Sequence, residues 1–380
     1  MAASPDRPSG LRVASVGGVP VYVGSSWLIL AVVVIALVGP GIAADRPDLG
    51  ALAYGVGALY AVGLLVAVLV HEAAHAVVAR GVGHRVHAVV ADIWGGHTTY
   101  DPSRGTPGSA AAIAVVGPLS NLVLGLLAWG VHPFAPEGVP SGLLGAFAFV
   151  NVLLAAFNLL PGLPLDGGQL VEAAVWRLTG SRPRGRVVAG WCGRAVVVVV
   201  VVWAIGLPLL SGARPDLFRV VWTVLICAFL WQGATAAIAA GQSLGVLARL
   251  DPARVIRPAR AVSERAVLAD VDPQAAHGVP VVVDALGRPL ALLSAAAMGG
   301  VPEDLRERTP VSAVMARQPS EWVVPLEGDP EEDLIALVRT FQDTRASHLA
   351  VTRGGVLAGV VSVHKLGAAL DEVQGRPPRP

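Results

Sequence analysis

Apolar residues along this chain gather into six long runs, at about residues 26–43, 54–79, 109–131, 143–164, 189–210 and 218–240. A helix that crosses a bilayer needs about 20 mostly apolar residues, so each run predicts a span. Pro40 and Gly41 predict a break at the end of the first. Two stretches between the runs follow a different rule. Residues 11–23, LRVASVGGVPVYV, alternate loosely around Gly17, Gly18 and Pro20, and residues 84–106 mix β-formers with Gly95 and Gly96. Both predict short strands or turns. Irregular backbone at membrane depth survives only against protein or a wet cavity, so a small sheet dipping beside a site fits this pattern.

From about residue 250 the long runs stop, and the chain becomes charged and punctuated by proline. Two βα-like units follow. In the second, 331-EEDLIALVRTFQDT-344 has helical periodicity, and strands at 348–352 and 356–361 flank the turn Arg353-Gly354-Gly355. The first has 279-VPVVVDALGRPLALLS-294, again strand, glycine turn, strand, which makes an internal repeat. The predicted fold is mostly α: a polytopic membrane protein of about six transmembrane helices with a small membrane-associated β-hairpin or sheet, plus a cytoplasmic α/β domain. The membrane domain covers 1–248. The α/β domain covers 249–373, with repeat units at 258–300 and 310–370, and 374–380 forms a disordered tail.

Composition agrees. Of 380 residues, 54% are hydrophobic and 14% charged, against about 25% charged in soluble domains. The net charge of +1 gives no sign of a nucleic-acid partner. Cys192 and Cys227 sit in apolar runs without metal-site or disulfide spacing. The polar N-terminus has no removable signal sequence after it, so the first run stays as a span. Arginine sets the orientation. One set of loops holds Arg7 and Arg12, then Arg80, Arg85 and Arg104, then Arg177, Arg182, Arg184 and Arg186, then Arg249, Arg254 and Arg257; the opposite set holds Arg46 and Arg214, with Arg219 at its edge. By the positive-inside rule both termini lie in the cytoplasm of a plasma-membrane protein.

Against that apolar background, 71-HEAAH-75 stands inside the second run. Residues i and i+4 share a helix face, so His71 and His75 can both reach one metal ion, with Glu72 beside them as a proton acceptor. Zinc suits two imidazoles and a carboxylate with one position open to water. The bland alternative is a satisfied buried polar cluster. The third ligand is best supplied by Asp166 in 157-FNLLPGLPLDGGQL-170, where Pro161, Pro164, Gly167 and Gly168 break the helix; otherwise Asp166 is a polar residue at a membrane boundary.

HEAAH within a span, 117-GPLSN-121 in the next and 158-NLLPGLPLDGG-168 in the fourth together resemble the site-2 protease family of intramembrane zinc metalloproteases, in its six-span bacterial branch with C-terminal cystathionine-β-synthase (CBS) repeats. The resemblance implies one zinc per chain held by His71, His75 and Asp166, with Glu72 as catalytic base. It implies a role near the substrate for Asn158 and Pro161, and a helix-packing role for Asn121. It implies a transmembrane protein substrate cleaved within the bilayer, such as an anti-sigma factor or a tethered regulator, and pairing of the extended substrate with the 84–98 strand. His97, in the hairpin 93-IWGGHTTY-100, departs from the apolar residue expected there and is a loop residue rather than a ligand, as are His84, His87 and His132. CBS repeats imply adenine nucleotide binding through an aspartate near the end of the second strand. Lys365 stands at that place in 361-VSVHKL-366, and 293-LSAAAM-298 is eroded in the first unit, so homodimerisation or a structural role is at least as well supported. Two other functions remain open from the residues alone: a CBS-regulated transporter or channel with HEAAH and Asp166 on the ion path, and a catalytically idle membrane binding protein.

Overall fold

The computed structural model describes residues 10–92, 95–100, 105–212, 214–271, 278–326, 328 and 330–373. Arg7 and Arg104 of the orientation argument, Ile93 and Trp94 of the hairpin and the 374–380 tail lie outside the described residues. The chain divides into two compact units, 1–242 and 243–380, with the division falling inside the last long helix of the membrane unit.

Among the described residues, six helices are long and apolar enough to cross a membrane. We label α1 Ser26–Asp45, α2 Leu52–Gly81, α3 Pro107–Val131, α4 Val139–Asn158, α6 Arg182–Val201 (continued through Val202–Gly206 to Leu207–Leu210) and α7 Leu217–Leu247. A shorter helix, α5 Asp166–Thr179, lies between α4 and α6. Three boundaries correct the sequence expectation. Helix α1 runs through Pro40 instead of breaking there; an interrupted helix in lipid would leave backbone groups without partners. The run predicted as a span at 143–164 is a helix ending at Asn158 and a turn that leads into α5. Leu159, Leu160 and Leu163 keep that turn apolar while Pro161 and Pro164 withhold the amide hydrogens a helix needs. Helix α6 begins at Arg182 rather than 189, because the Ser181 hydroxyl accepts from the Arg184 amide and Pro183 occupies the first turn.

Both stretches expected to be strands join one sheet of order β1-β2-β3-β4. β1 Leu11–Val16 and β2 Val19–Val23 form a hairpin around Gly17 and Gly18, whose φ of 56° and 86° only glycine adopts easily. β3 Val86–Asp92 runs parallel to β2, and β4 Gly95–Tyr100 runs antiparallel to β3 at the sheet edge. Val19, Val21 and Val89 pack on Ala76 of α2, so the sheet lies against the helix that carries HEAAH. The Arg80 side chain donates to the Gly17 carbonyl, tying the end of α2 to the first hairpin.

The second unit repeats one strand order. β5 Ala259–Ser263 is parallel to β6 Val279–Val283, which is antiparallel to β7 Pro289–Leu292; the short β8 Ala316–Arg317 closes that sheet. β9 Val323–Leu326 is parallel to β10 His348–Arg353, which is antiparallel to β11 Val356–Ser362. Helix α8 Pro330–Thr344 connects β9 to β10, and α9 Val363–Val373 follows β11. Trp322, Leu334, Leu337 and Leu349 are fully buried between these elements.

Candidate metal centre

Two elements of the membrane unit bring His71, His75 and Asp166 together. The two histidines lie one helical turn apart on α2, and Asp166 is the first residue of α5. Asp166 is placed there by a tight turn. A side chain on Gly167 would meet the Leu159 carbonyl carbon at 2.6 Å, and one on Gly168 would meet the Gly162 carbonyl oxygen at 2.7 Å. Nothing larger than hydrogen fits at those positions, which accounts for the two glycines after Asp166. The His71 Nε2 and His75 Nε2 atoms are 3.0 Å apart, and Asp166 Oδ2 lies 3.1 Å from the first and 3.4 Å from the second. All three residues are buried and form a group able to hold one metal ion.

The protons of the two imidazoles can be placed from their other partners. His75 Nδ1 lies 2.7 Å from the Ile113 carbonyl, which only accepts, so Nδ1 carries the proton and Nε2 presents a lone pair. His71 is fixed by a relay of two buried asparagines. Asn151 Nδ2 donates to the Phe147 carbonyl (2.8 Å), so Asn151 Oδ1 accepts from Asn121 Nδ2 (2.9 Å). Asn121 Oδ1 is then left to accept from His71 Nδ1–H at 2.6 Å, and His71 Nε2 also presents a lone pair. Asp166 Oδ2 has no hydrogen-bond donor although it is buried. With both rings neutral, two lone pairs and a carboxylate oxygen face one another at 3.0–3.4 Å. They repel unless a cation sits at their centre. Zinc bonds of about 2.0–2.1 Å in a tetrahedron place ligand atoms about 3.3 Å apart, so the donor set fits that ion in kind and spacing.

Helix α3 closes the other side. A Cβ on Gly117 would lie 2.6 Å from His75 Cε1 and 2.7 Å from His71 Cε1. The glycine of the GPLSN segment therefore makes room for both rings. Asn121, four residues on and fully buried, does more than pack helices: it orients His71. Replacing Asn121 with alanine is expected to weaken zinc affinity about 10–100-fold, the usual effect of losing an outer partner of a histidine ligand. Titration against a competing chelator checks this, and unchanged affinity would reduce Asn121 to a packing residue.

Glu72 is buried beside the metal group and held by β4. Thr98 Oγ1 lies 2.8 Å from Glu72 Oε2 and 3.0 Å from the Glu72 carbonyl, so its hydroxyl donates to the carboxylate. A Cβ on Gly96 would come within 2.7 Å of Glu72 Cγ. Along β4, Gly96 and Thr98 face the same way: one leaves space for the glutamate and the other anchors it. Neither Thr98, Gly96 nor Asn151 was expected from the sequence. Only Asn151, an amide within an apolar run, carried a signal that could have found it.

His71, Glu72, His75 and Asp166 line one cavity of about 560 Å³, together with Thr98, Tyr100, Asn121 and Asn158. Pro161 is exposed and does not line it. His97 lines the outer part, 3.5 Å from Asp92 Oδ2 and apart from the three-residue metal group. His84 is buried after α2 with its ring 5.4 Å from that of Tyr100. His87 is exposed, and His132 lies 3.1 Å from the Ser141 hydroxyl.

Residues 132–203 match the model of Peptidase family M50. Among curated proteins, sll0528 of Synechocystis sp. is 34% identical over 228 residues, covering 60% of this chain and 59% of that protein. Rip3 of Mycobacterium tuberculosis is 39% identical over 183 residues, 47% of this chain and 46% of that protein. Both carry "zinc metalloprotease" in their names, and this chain spans less than two thirds of either. The solved site-2 protease from Methanocaldococcus jannaschii is 23% identical and aligns over 60% of this chain and 95% of its own, with a TM-score of 0.42.

Proposed function

We propose, from the match of residues 132–203 to Peptidase family M50 and the likeness to curated zinc metalloproteases, that this chain is an intramembrane zinc endopeptidase of the site-2 protease type, hydrolysing a peptide bond in the transmembrane segment of a single-span membrane protein. The observation that carries this reading is the convergence of His71, Glu72 and His75 of an apolar span with Asp166 of α5 on one cavity. Ionisable side chains in such spans are costly and mark function. Zinc, when bound, polarises the scissile carbonyl and brings the pKa of a water to about 7.

The chain's own groups do the rest. Thr98 occupies Glu72 Oε2, leaving Oε1 to take a proton from water and deliver it to the leaving amine. β4 is an edge strand lining the cavity, so its free backbone groups can pair with a locally unwound substrate and replace the hydrogen bonds lost on unwinding. Asn158, at the end of α4 and on the cavity wall, can donate to the substrate backbone; Pro161 acts by shaping the turn before Asp166. The arginine pattern puts the Arg80 end of α2 at the cytoplasm with both termini. His71 then lies about 15 Å along α2 from Gly81 and about 28 Å from Leu52 at 1.5 Å per residue, nearer the cytoplasmic end, so cleavage falls toward the cytoplasmic half of the substrate span. Substrates of the regulated kind, anti-sigma factors or tethered regulators, fit this topology. The duplicated strand order of the second unit supports a tandem CBS assignment. Lys365, whose amide donates to Ser362 at the start of α9, favours dimerisation or a structural role over adenine nucleotide binding.

Purified full-length chain is expected to hold one zinc and to cleave a single-span substrate in detergent or liposomes. Chelation should stop cleavage and added zinc restore it. Full activity of zinc-free protein would overturn the proposal, and ion flux without proteolysis would replace it with a transporter.

A further inference from the structure

Arg194 is a charge within a membrane-spanning helix. Among the described residues no carboxylate lies within ion-pair distance of it. Nη2 donates to Thr235 Oγ1 at 3.1 Å, and the hydroxyl of Thr235 is itself committed to the Trp231 carbonyl at 2.7 Å. The guanidinium carbon lies 4.7 Å from the Trp191 ring and 4.9 Å from the Trp231 ring. Nε is buried without a partner. Small residues bring the two helices close enough to share this cation: a Cβ on Gly190 of α6 would lie 2.6 Å from Ile238 Cγ1 of α7. Trp191 and Trp231 are 55% and 44% exposed, so the pair faces outward from the helix bundle rather than into the metal cavity.

Depth follows from helix lengths. From Arg194 to Leu210 is about 24 Å along α6, and from Thr235 back to Leu217 is about 27 Å along α7, at 1.5 Å per residue. A hydrocarbon core of about 30 Å measured from that far end stops just beyond Arg194. Arg194 thus sits a few ångströms inside the membrane boundary at the end of α6 that carries Arg182, Arg184 and Arg186. Tryptophans concentrate at that level, and an arginine side chain is long enough to reach headgroups from it.

We propose that Arg194, framed by Trp191 and Trp231, binds the phosphodiester of an anionic phospholipid in the leaflet at the Arg-rich end of the membrane unit. Nη1 and the remaining Nη2 hydrogen, rather than the buried Nε, go to the phosphate oxygens, and the two indoles pack along the lipid below the headgroup. The proposal is independent of proteolysis. It leaves an annular lipid fixed at the α6–α7 face, beside the turn that carries Asp166.

Native mass spectrometry of the full chain, released from detergent with phosphatidylglycerol or phosphatidylcholine, tests it. The wild type should retain one phosphatidylglycerol in preference to phosphatidylcholine. Arg194→Gln should lower that retention about fivefold, the effect of one basic residue at an anionic surface, with unchanged melting temperature and zinc content. Arg194→Lys, which keeps the charge but not the fork, should fall between. Inorganic phosphate at millimolar concentration should not compete; displacement by it would assign the site to a soluble anion instead. Equal retention by wild type and Arg194→Gln, or no preference for phosphatidylglycerol, overturns the proposal. If Arg194→Gln leaves lipid retention intact yet slows cleavage only of substrates with an acidic residue, the cation serves a substrate carboxylate and the lipid assignment fails.

Discussion

Glu72→Gln is expected to keep its zinc and lose cleavage. The amide has the shape of the carboxylate, and its carbonyl oxygen can still accept from Thr98 Oγ1, so β4 stays seated on α2. His71, His75 and Asp166 are untouched, and the metal remains. What the amide cannot do is take a proton from water. General-base catalysis contributes about 10²–10⁴-fold, so kcat should fall by that factor with KM little changed. Zinc content by elemental analysis and cleavage of one membrane substrate, measured on the same preparation, check both halves. Cleavage within a few-fold of wild type would show that another group moves the proton. Zinc lost along with activity would show that Glu72 acts on the metal rather than on the water.

The parts of this site legible in the sequence are those whose geometry is local. His71 and His75 share a face because a helix repeats every 3.6 residues, and no tertiary information is needed to see it. Asp166 could be nominated from the prolines and glycines around it but not placed, because the fold alone closes the gap from α2 to α5. The residues that hold the ligands in place were not legible in this way. Gly117 matters because α3 passes close to two imidazoles, and Gly96 because β4 lies on Glu72. A glycine in an apolar run carries no record of what it must avoid touching. Asn121 was visible as part of a segment, but its role depends on Asn151 in another span to set the direction of its amide. Span boundaries failed where hydropathy and backbone chemistry diverge. Leu159, Leu160 and Leu163 extended an apolar run past the end of α4, and the arginines at the start of α6 hid a helix that Ser181 and Pro183 had already begun.

Asp166→Asn should cost more zinc affinity than Asn121→Ala, and that order separates a metal site from a buried ion pair. If Asp166 is a ligand, its substitution removes a metal bond and the negative charge that balances the dication, an effect expected to exceed the about 10–100-fold loss for an outer partner. The variant should then be without zinc after purification and inactive. Heating provides the second readout. A ligand that binds only the folded state stabilises it by RT ln(1 + [L]/Kd), about 2.7 kcal/mol at a hundredfold excess over Kd. Added zinc should therefore raise the melting temperature of the wild type and leave Asp166→Asn unmoved. The ion-pair alternative predicts the opposite. There Asp166 would serve only to meet a protonated His71 or His75, zinc would not stabilise the wild type, and the substitution would destabilise the protein equally with and without metal. The Nδ1 partners fit either case, since Asn121 and the Ile113 carbonyl accept from a neutral or a charged ring. In the ion pair a proton on one Nε2 is shared with the other Nε2 at 3.0 Å and with Asp166 Oδ2 at 3.1–3.4 Å, and one ring is charged. A dication bonded to all three atoms meets the same demand without charging either ring.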